Sequence, residues 1–133
     1  MMQFPFPRMS TSLKIFRILV PIFMFIHGIS RIVHGAVGGF GEFLNSHGLP
    51  LGLYFAWGIT IFEILGSLSL MAGYFVFVIA MTFVIELTVG ITLVHSANGW
   101  FVVGGGTGGM EYSILLIVSF LLIAATSGKP KLS

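Results

Sequence analysis

Four long apolar runs constrain the fold of this chain more than any other feature of its sequence. They cover approximately residues 13–37, 51–71, 74–96 and 110–126. Each run approaches the ~20 residues that a helix needs to cross ~30 Å of hydrocarbon, and the last is the shortest. Runs this long and continuous predict helices, because barrel strands would alternate in hydrophobicity over about ten residues.

The composition indicates that most of the protein surface faces lipid. Hydrophobic residues make up 56% of the 133 residues and charged residues 8%, against roughly 25% charged residues in ordinary soluble domains. So few charged side chains could not cover the surface of a water-soluble protein. We therefore predict an all-α membrane protein with a single domain, 1–133, in which four transmembrane helices form an antiparallel bundle in the lipid bilayer.

The net charge and the lack of cysteine exclude several classes of function. The net charge is only +2, so we expect no nucleic-acid partner. Without cysteine, the chain can form no disulfide, thiolate zinc site or cysteine-ligated iron–sulfur cluster. We expect no metal site in this chain.

Lysine and arginine residues near the ends of the runs predict the orientation. Arg8, Lys14 and Arg17 lie at the start of the first run, and Lys129 and Lys131 follow the last. The two long connections between runs contain neither residue type. By the positive-inside rule, we expect an integral plasma (inner) membrane protein with both termini in the cytoplasm. No small-residue cleavage site follows the first run, so we expect that helix to be retained.

Ionisable residues occur inside the predicted helices, where a central charge costs about 2.5–3.5 kcal/mol and therefore usually faces the bundle and pairs. Glu63 and Glu86 fall near the middle of the second and third helices. The others fall nearer the helix ends. The candidates for a polar core or ligand-binding site are Arg17, Arg31, His34, Glu63, Glu86, His95 and Glu111.

The sequence allows two pairings for Arg31. We predict that Arg31 forms an ion pair with Glu111, because Glu111 is the one acid at the outer end of a helix. This outer cluster would comprise Arg31, His34, His95 and Glu111. Alternatively, Arg31 reaches inward to Glu63 or Glu86. If those two acids face each other, at least one must hold a proton, because like charges repel strongly at low dielectric.

Small residues mark places where helices can approach closely. Thr82, Glu86 and Gly90 follow i, i+4, i+8 spacing and give the third helix a polar and small stripe. Gly28 lies in the same part of the first helix as Arg31, where it allows close approach of a neighbouring helix.

A series of short motifs runs in order along residues 13–128. They are Arg17, Gly28 with Arg31 three residues later, Gly48–Leu49–Pro50, Glu63 with Gly66 and then Gly73, His95 before Gly99 and Trp100, and Glu111–Tyr112. This series resembles the DoxX family of small four-helix membrane proteins. The family often has lysine where Arg31 stands and phenylalanine where Trp100 stands, and Glu86 is not part of its pattern. The resemblance implies a membrane subunit of an oxidoreductase, such as thiosulfate:quinone oxidoreductase, with quinone and other subunits as partners.

Three functions remain open from the sequence. In a quinone-linked subunit, His or Arg would bind a quinone oxygen, and a carboxylate or His would relay the proton. The chain itself is expected to hold no electron-transfer cofactor. The alternatives are a small-solute or proton transporter, formed as a channel-like homo-oligomer around Glu63 and Glu86, and a non-catalytic assembly factor.

Two motifs are given little weight. The stretch GGGTGG at residues 104–109 matches G-x-G-x-x-G, but no strand precedes it and no acid follows about 20 residues later, so a loop is predicted. A haem between His34 and His95 is a minor alternative without diagnostic spacing.

Overall fold

The computed structural model describes residue 5 and residues 7–128, and all regular structure in that part of the chain is helical. The helix Val76–Gly90 continues into a π-helical turn, Ile91–His95, and a 3₁₀ turn, Ser96–Asn98. Lys129 and Lys131, which support the predicted orientation, lie outside the described residues. The helices are α1 (Met9–Val33), α2 (Val37–Ser46), α3 (Gly52–Ala72), α4 (Val76–Gly90) and α5 (Glu111–Ala125).

Three helical segments are long and apolar enough to cross a membrane. They are Met9–Val33, Gly52–Ala72 and the continuous stretch Val76–Asn98. Helix α5 has 15 residues, which at 1.5 Å per residue span about 22 Å of a hydrocarbon core of ~30 Å. Within the described residues the structure confirms an all-helical membrane chain with three candidate spans. The predicted four-helix antiparallel bundle is not confirmed.

The first connection differs from the prediction. The first helix, predicted over 13–37, ends at Val33, and Gly35 takes a left-handed conformation with φ of 64° that ends it. The following residues, predicted as a loop with a short apolar piece, form α2. Its two adjacent glycines disfavour a helix locally, but burial of Val37 and Leu44 outweighs that preference.

Helices α2 and α3 meet at backbone distance. A Cβ atom on Gly52 would overlap the carbonyl oxygen of Gly41, so both positions require glycine. At this contact the backbone N–H of Gly52 donates a hydrogen bond of 2.8 Å to Oδ1 of Asn45. Because the first N–H groups of a helix have no partner inside it, Asn45 satisfies one of them from outside α3.

Replacing Asn45 by Ala is expected to destabilise the protein by about 1 kcal/mol, the usual cost of removing a side-chain cap. Asn45→Asp keeps an acceptor oxygen and is the matched control. Thermal unfolding in one fixed detergent, followed by the fluorescence of Trp57 and Trp100, measures the difference. Equal melting temperatures for wild type and the Ala variant would show that the cap contributes nothing.

The helices form two groups that are joined by a tight turn and by a shared hydrophobic core, which includes Leu70, Phe83 and Phe120. Helix α3 ends at Ala72, Gly73 follows with φ of 89°, and α4 begins at Val76, which confirms the predicted short connection. Beyond the turn, α1 and α2 pack along α3, while α4 packs along α5. Phe83 stacks on Phe120 with ring centroids 4.8 Å apart. A cavity lies between the two groups and is lined by residues of both.

Candidate functional site

The cavity has a volume of about 910 Å³ and is lined by residues of all five helices. Its walls are mainly aromatic and aliphatic, and a few polar side chains reach it. A large apolar cavity with a small number of convergent polar groups is typical of a ligand site. The apolar lining includes Phe40, Phe55, Phe62, Ile85, Leu93 and Leu116. The polar lining includes Arg31, Glu63, Thr82, Glu86, His95 and Tyr112.

A salt bridge between Arg31 of α1 and Glu63 of α3 lies in the wall of this cavity. Nη1 of Arg31 is 2.6 Å from Oε2 of Glu63, and Nη2 is 3.2 Å from Oε1, so the pair is bidentate. The side chain of Glu63 is 3% exposed and that of Arg31 is 15% exposed. It is the one salt bridge among the described residues. Parallel N–H···O bonds of this kind are among the strongest in proteins and fix the planes of both groups.

Two further residues hold the guanidinium group. Nη1 of Arg31 also donates to Oγ1 of Thr60 at 2.9 Å, and the Thr60 hydroxyl donates to the carbonyl of Ala56 at 2.7 Å. The ring of Phe40 from α2 lies 4.5 Å from Cζ of Arg31, in the range of a cation–π contact. Arg31 is therefore fixed by α3 on one side and covered by α2 on the other.

Gly28 brings the two charged helices together. A Cβ atom at this position would lie 2.8 Å from Cγ1 of Ile64 and 3.0 Å from the carbonyl oxygen of Thr60. Arg31 follows three residues later, on the same face of α1. The close approach predicted for Gly28 is confirmed, and it is what lets the arginine reach Glu63.

Glu86 of α4 brings a second carboxyl group to the pair. It lines the cavity, and its carboxyl group lies next to that of Glu63 and near the charged guanidinium group of Arg31. Thr82 and Gly90, one turn before and one turn after Glu86, line the cavity as well. The predicted polar and small stripe on this helix therefore faces the cavity.

The predicted outer cluster around Arg31 is wrong. Arg31 pairs inward, as in the alternative pairing with Glu63. Glu111 instead accepts a hydrogen bond of 2.9 Å from the backbone N–H of Val102, while its own N–H donates to the carbonyl of Trp100 at 3.0 Å. The carboxylate of Glu111 is thus hydrogen-bonded to the glycine-rich loop before α5 and does not pair with Arg31. Glu111 also lies in the first turn of α5, where the helix dipole favours a negative charge.

His34 and His95 lie in separate surroundings. Nδ1 of His34 is 2.8 Å from the carbonyl of Ser30, one turn earlier in α1. His34 lines a second cavity of about 470 Å³, and His27 and Arg31 line this cavity as well. Nδ1 of His95 is 2.8 Å from the carbonyl of Gly108, and its ring lines the large cavity. The two histidines do not form the predicted cluster.

Arg17 lies far from this site. Its guanidinium group is next to Gly73, where a Cβ atom would be 3.0 Å from Nη2, and its buried Nε has no hydrogen-bond partner among the described residues. Fourteen residues separate it from Arg31, which corresponds to about 21 Å along α1. Arg17 therefore stands at the α3–α4 turn and not at the cavity.

Sequence reasoning missed two residues of the site. Thr60 lies one turn before Glu63 on the same face of α3, and this spacing could have revealed it. Phe40 fell in the apolar piece of the first predicted connection, and nothing in that piece indicates a contact with an arginine. No group of three or more His, Asp or Glu side chains within the described residues could hold a metal ion.

Comparison with known proteins gives one match. The family model DoxX matches residues 12–96, which is more than half of the chain and covers most of α1 and all of α2, α3 and α4. No curated protein matches the chain, and no solved structure does.

Proposed function

Because this chain belongs to the DoxX family and holds a large apolar cavity around a buried ion pair, we propose that it binds a quinone as the membrane subunit of a quinone-linked oxidoreductase. The observation that carries the proposal is the junction of the apolar cavity with the bidentate Arg31–Glu63 pair. The family alone does not assign an activity.

The cavity residues fit a quinone by size and by donor type. A volume of about 910 Å³ lies within the usual range for small-molecule sites, roughly 300–1,000 Å³. Aromatic side chains such as Phe55 and Phe62 would pack against the ring and its isoprenoid tail. The guanidinium of Arg31 would hold a carbonyl oxygen, and Glu63 fixes the direction of that donor.

The two carboxyl groups support proton chemistry at the same place. A quinone supplies two-electron redox chemistry and takes up protons when it is reduced. Glu86 lies beside the Arg31–Glu63 pair and lines the cavity. A carboxyl group in contact with the ligand can deliver or accept such a proton. The residues of this chain would therefore bind and orient the quinone and deliver protons to its oxygen atoms, and partner subunits would supply the electrons.

The proposal includes a membrane arrangement. Helix α5 packs along α4, and we place it as the fourth helix of an antiparallel bundle. Arg8, Lys14 and Arg17 at the start of α1 support a cytoplasmic N-terminus in the inner membrane by the positive-inside rule. With four helices the C-terminus returns to the same side.

Narrowing the cavity should weaken quinone binding without unfolding the protein. Gly58 lines the cavity, and a Cβ atom there would meet nothing within 4 Å. Gly58→Leu is expected to weaken the binding of decyl-ubiquinone at least ~10-fold, because the new side chain takes the space of the ring. Its melting temperature should not fall, since leucine favours a helix over glycine by somewhat under ~1 kcal/mol.

Gly39→Leu is the matched control. A Cβ atom on Gly39 would also meet nothing within 4 Å, but this residue belongs to α2 and does not line the cavity. Calorimetric titration of decyl-ubiquinone and of a short-tailed menaquinone analogue into protein in lipid nanodiscs gives the affinities. If neither analogue binds the wild type, the proposal fails. If Gly58→Leu binds as well as Gly39→Leu, the ligand lies elsewhere.

A further inference from the structure

His95 is placed in the cavity wall by an irregular turn of helix. It is the last residue of the π-helical turn Ile91–His95 that continues α4, and it is half-buried. Single π-helical turns widen the helix and often occur at functional sites. The ring of His95 lines the cavity together with Leu93 and Val94.

The contact with Gly108 fixes the tautomer of this ring. Nδ1 of His95 is 2.8 Å from the carbonyl oxygen of Gly108. A carbonyl oxygen only accepts hydrogen bonds, so Nδ1 must carry the hydrogen. In the neutral ring Nε2 then bears a lone pair and acts as an acceptor. The opposite tautomer would set two lone pairs against each other across this contact.

The loop that holds His95 is itself fixed. Gly108 belongs to the connection that precedes α5, and the carboxylate of Glu111 anchors that connection through the N–H of Val102. The backbone N–H of Met110 also donates to the carbonyl of Gly99 at 3.1 Å. No hydrogen bond to Nε2 of His95 occurs within the described residues. The contact at Nδ1 thus orients the ring, and Nε2 can accept a hydrogen bond from a ligand.

The remaining histidines differ from His95 in this respect. Nδ1 of His34 and Nδ1 of His47 contact carbonyl groups one turn earlier in their own helices. Neither ring lines the large cavity. His27 lines it, but no described residue fixes its tautomer. Of the described histidines, His95 is therefore the one that lines the large cavity and also has a fixed tautomer, in which Nε2 can accept a hydrogen bond.

We propose that Nε2 of His95 accepts a hydrogen bond from a ring hydroxyl of the ligand, so that the cavity binds the hydroquinone form more tightly than the quinone. A quinone oxygen cannot donate and leaves Nε2 without a partner. A site built to hydrogen-bond a hydroxyl discriminates against the analogue that lacks it. This inference rests on the proposed function and adds to it a preference for the reduced ligand.

Two substitutions separate the two nitrogens of the ring. In His95→Asn the amide nitrogen takes the position of Nδ1 and can still donate to Gly108, but nothing replaces Nε2. In His95→Gln the amide group reaches the position of Nε2 and provides an acceptor there. His95→Asn therefore removes the contact with the ligand and keeps the contact with the loop.

Titration of decyl-ubiquinol, kept reduced without oxygen, and of decyl-ubiquinone into protein in nanodiscs tests the preference. We expect the wild type to bind decyl-ubiquinol about 5- to 10-fold more tightly, the usual effect of one neutral hydrogen bond. In His95→Asn the two affinities should become equal through weaker binding of decyl-ubiquinol alone. In His95→Gln part of the preference should return.

A second measurement uses the wild type only and does not depend on the folding of variants. In protein labelled with ¹⁵N-histidine, decyl-ubiquinol should shift the resonance of an unprotonated Nε2 much more than decyl-ubiquinone does, because only the hydroxyl of decyl-ubiquinol donates a hydrogen bond to it. Equal affinities of the wild type for both forms, or a preference that survives in His95→Asn, would refute the role of His95 and leave the proposed function standing. Failure of decyl-ubiquinol, decyl-ubiquinone and the menaquinone analogue alike to bind the wild type would refute the proposed function itself.

Discussion

Arg31→Met is expected to destabilise the protein by about 3–5 kcal/mol, the usual cost of removing one partner of a buried ion pair. The substitution leaves the carboxylate of Glu63, 3% exposed, without its two guanidinium hydrogen bonds. It also removes the donor to Thr60. The melting temperature in a fixed detergent, followed by tryptophan fluorescence, should fall by many degrees.

The double variant Arg31→Met/Glu63→Met is the decisive control. Replacing both partners by apolar residues of similar size removes the uncompensated charge, and such replacements are often nearly neutral for stability. We therefore expect the double variant to recover most of the stability lost in Arg31→Met. A double variant that is less stable than the single one would contradict this account of the pair.

Glu63→Gln should cost less than Arg31→Met. The guanidinium group keeps Thr60 as an acceptor, and the carboxyl of Glu86 lies beside the pair.

The double variant Arg31→Met/Glu63→Met also separates stability from function, because it should be stable but should no longer bind a quinone analogue. Loss of binding together with retained stability would show that the pair serves a ligand and not only helix packing.

The sequence predicts the three long helices of this protein, because long apolar runs leave few alternatives in a bilayer. It does not predict α2, which falls in a stretch interpreted as a loop. The resemblance to the DoxX family is confirmed over residues 12–96. The burial of Arg31 and the close approach at Gly28 were also predictable, since each follows from the position of one residue in an apolar run. The fourth run was predicted to be the shortest, and it forms α5 with 15 residues.

The partners of the charged residues could not be predicted in the same way. Depth estimates from the sequence placed Arg31 level with Glu111, but the tertiary arrangement of α1, α2 and α3 decides which acid it reaches. Phe40 covers Arg31 only because α2 folds back on α3. The partner of Glu111 is a backbone N–H of a glycine-rich loop. The conformation of such a loop cannot be predicted from the pattern of hydrophobic residues.

Gly28→Leu should be strongly destabilising, because Gly28 lies where α1 packs closely against α3. Even a Cβ atom at Gly28 would lie 2.8 Å from Ile64 and 3.0 Å from the backbone of Thr60. A leucine must therefore push α1 away from α3, and overpacking of this kind costs about 1–3 kcal/mol or more. The displacement also separates Arg31 from Glu63, which adds the cost of an unpaired buried charge.

Three matched variants isolate this effect, because each makes the same change in different surroundings. A side chain at Gly28 meets another helix, at Gly58 it enters the cavity, and at Gly39 it meets nothing within 4 Å. We expect Gly28→Leu to lose both stability and quinone binding, Gly58→Leu to lose binding alone, and Gly39→Leu to lose neither. Adding Ile64→Ala to Gly28→Leu should recover part of the stability, since it removes the closest of the contacts that a side chain at this position would make. If Gly28→Leu instead melts like Gly39→Leu, α1 and α3 do not cross at this glycine, and the ion pair must be held together by other contacts.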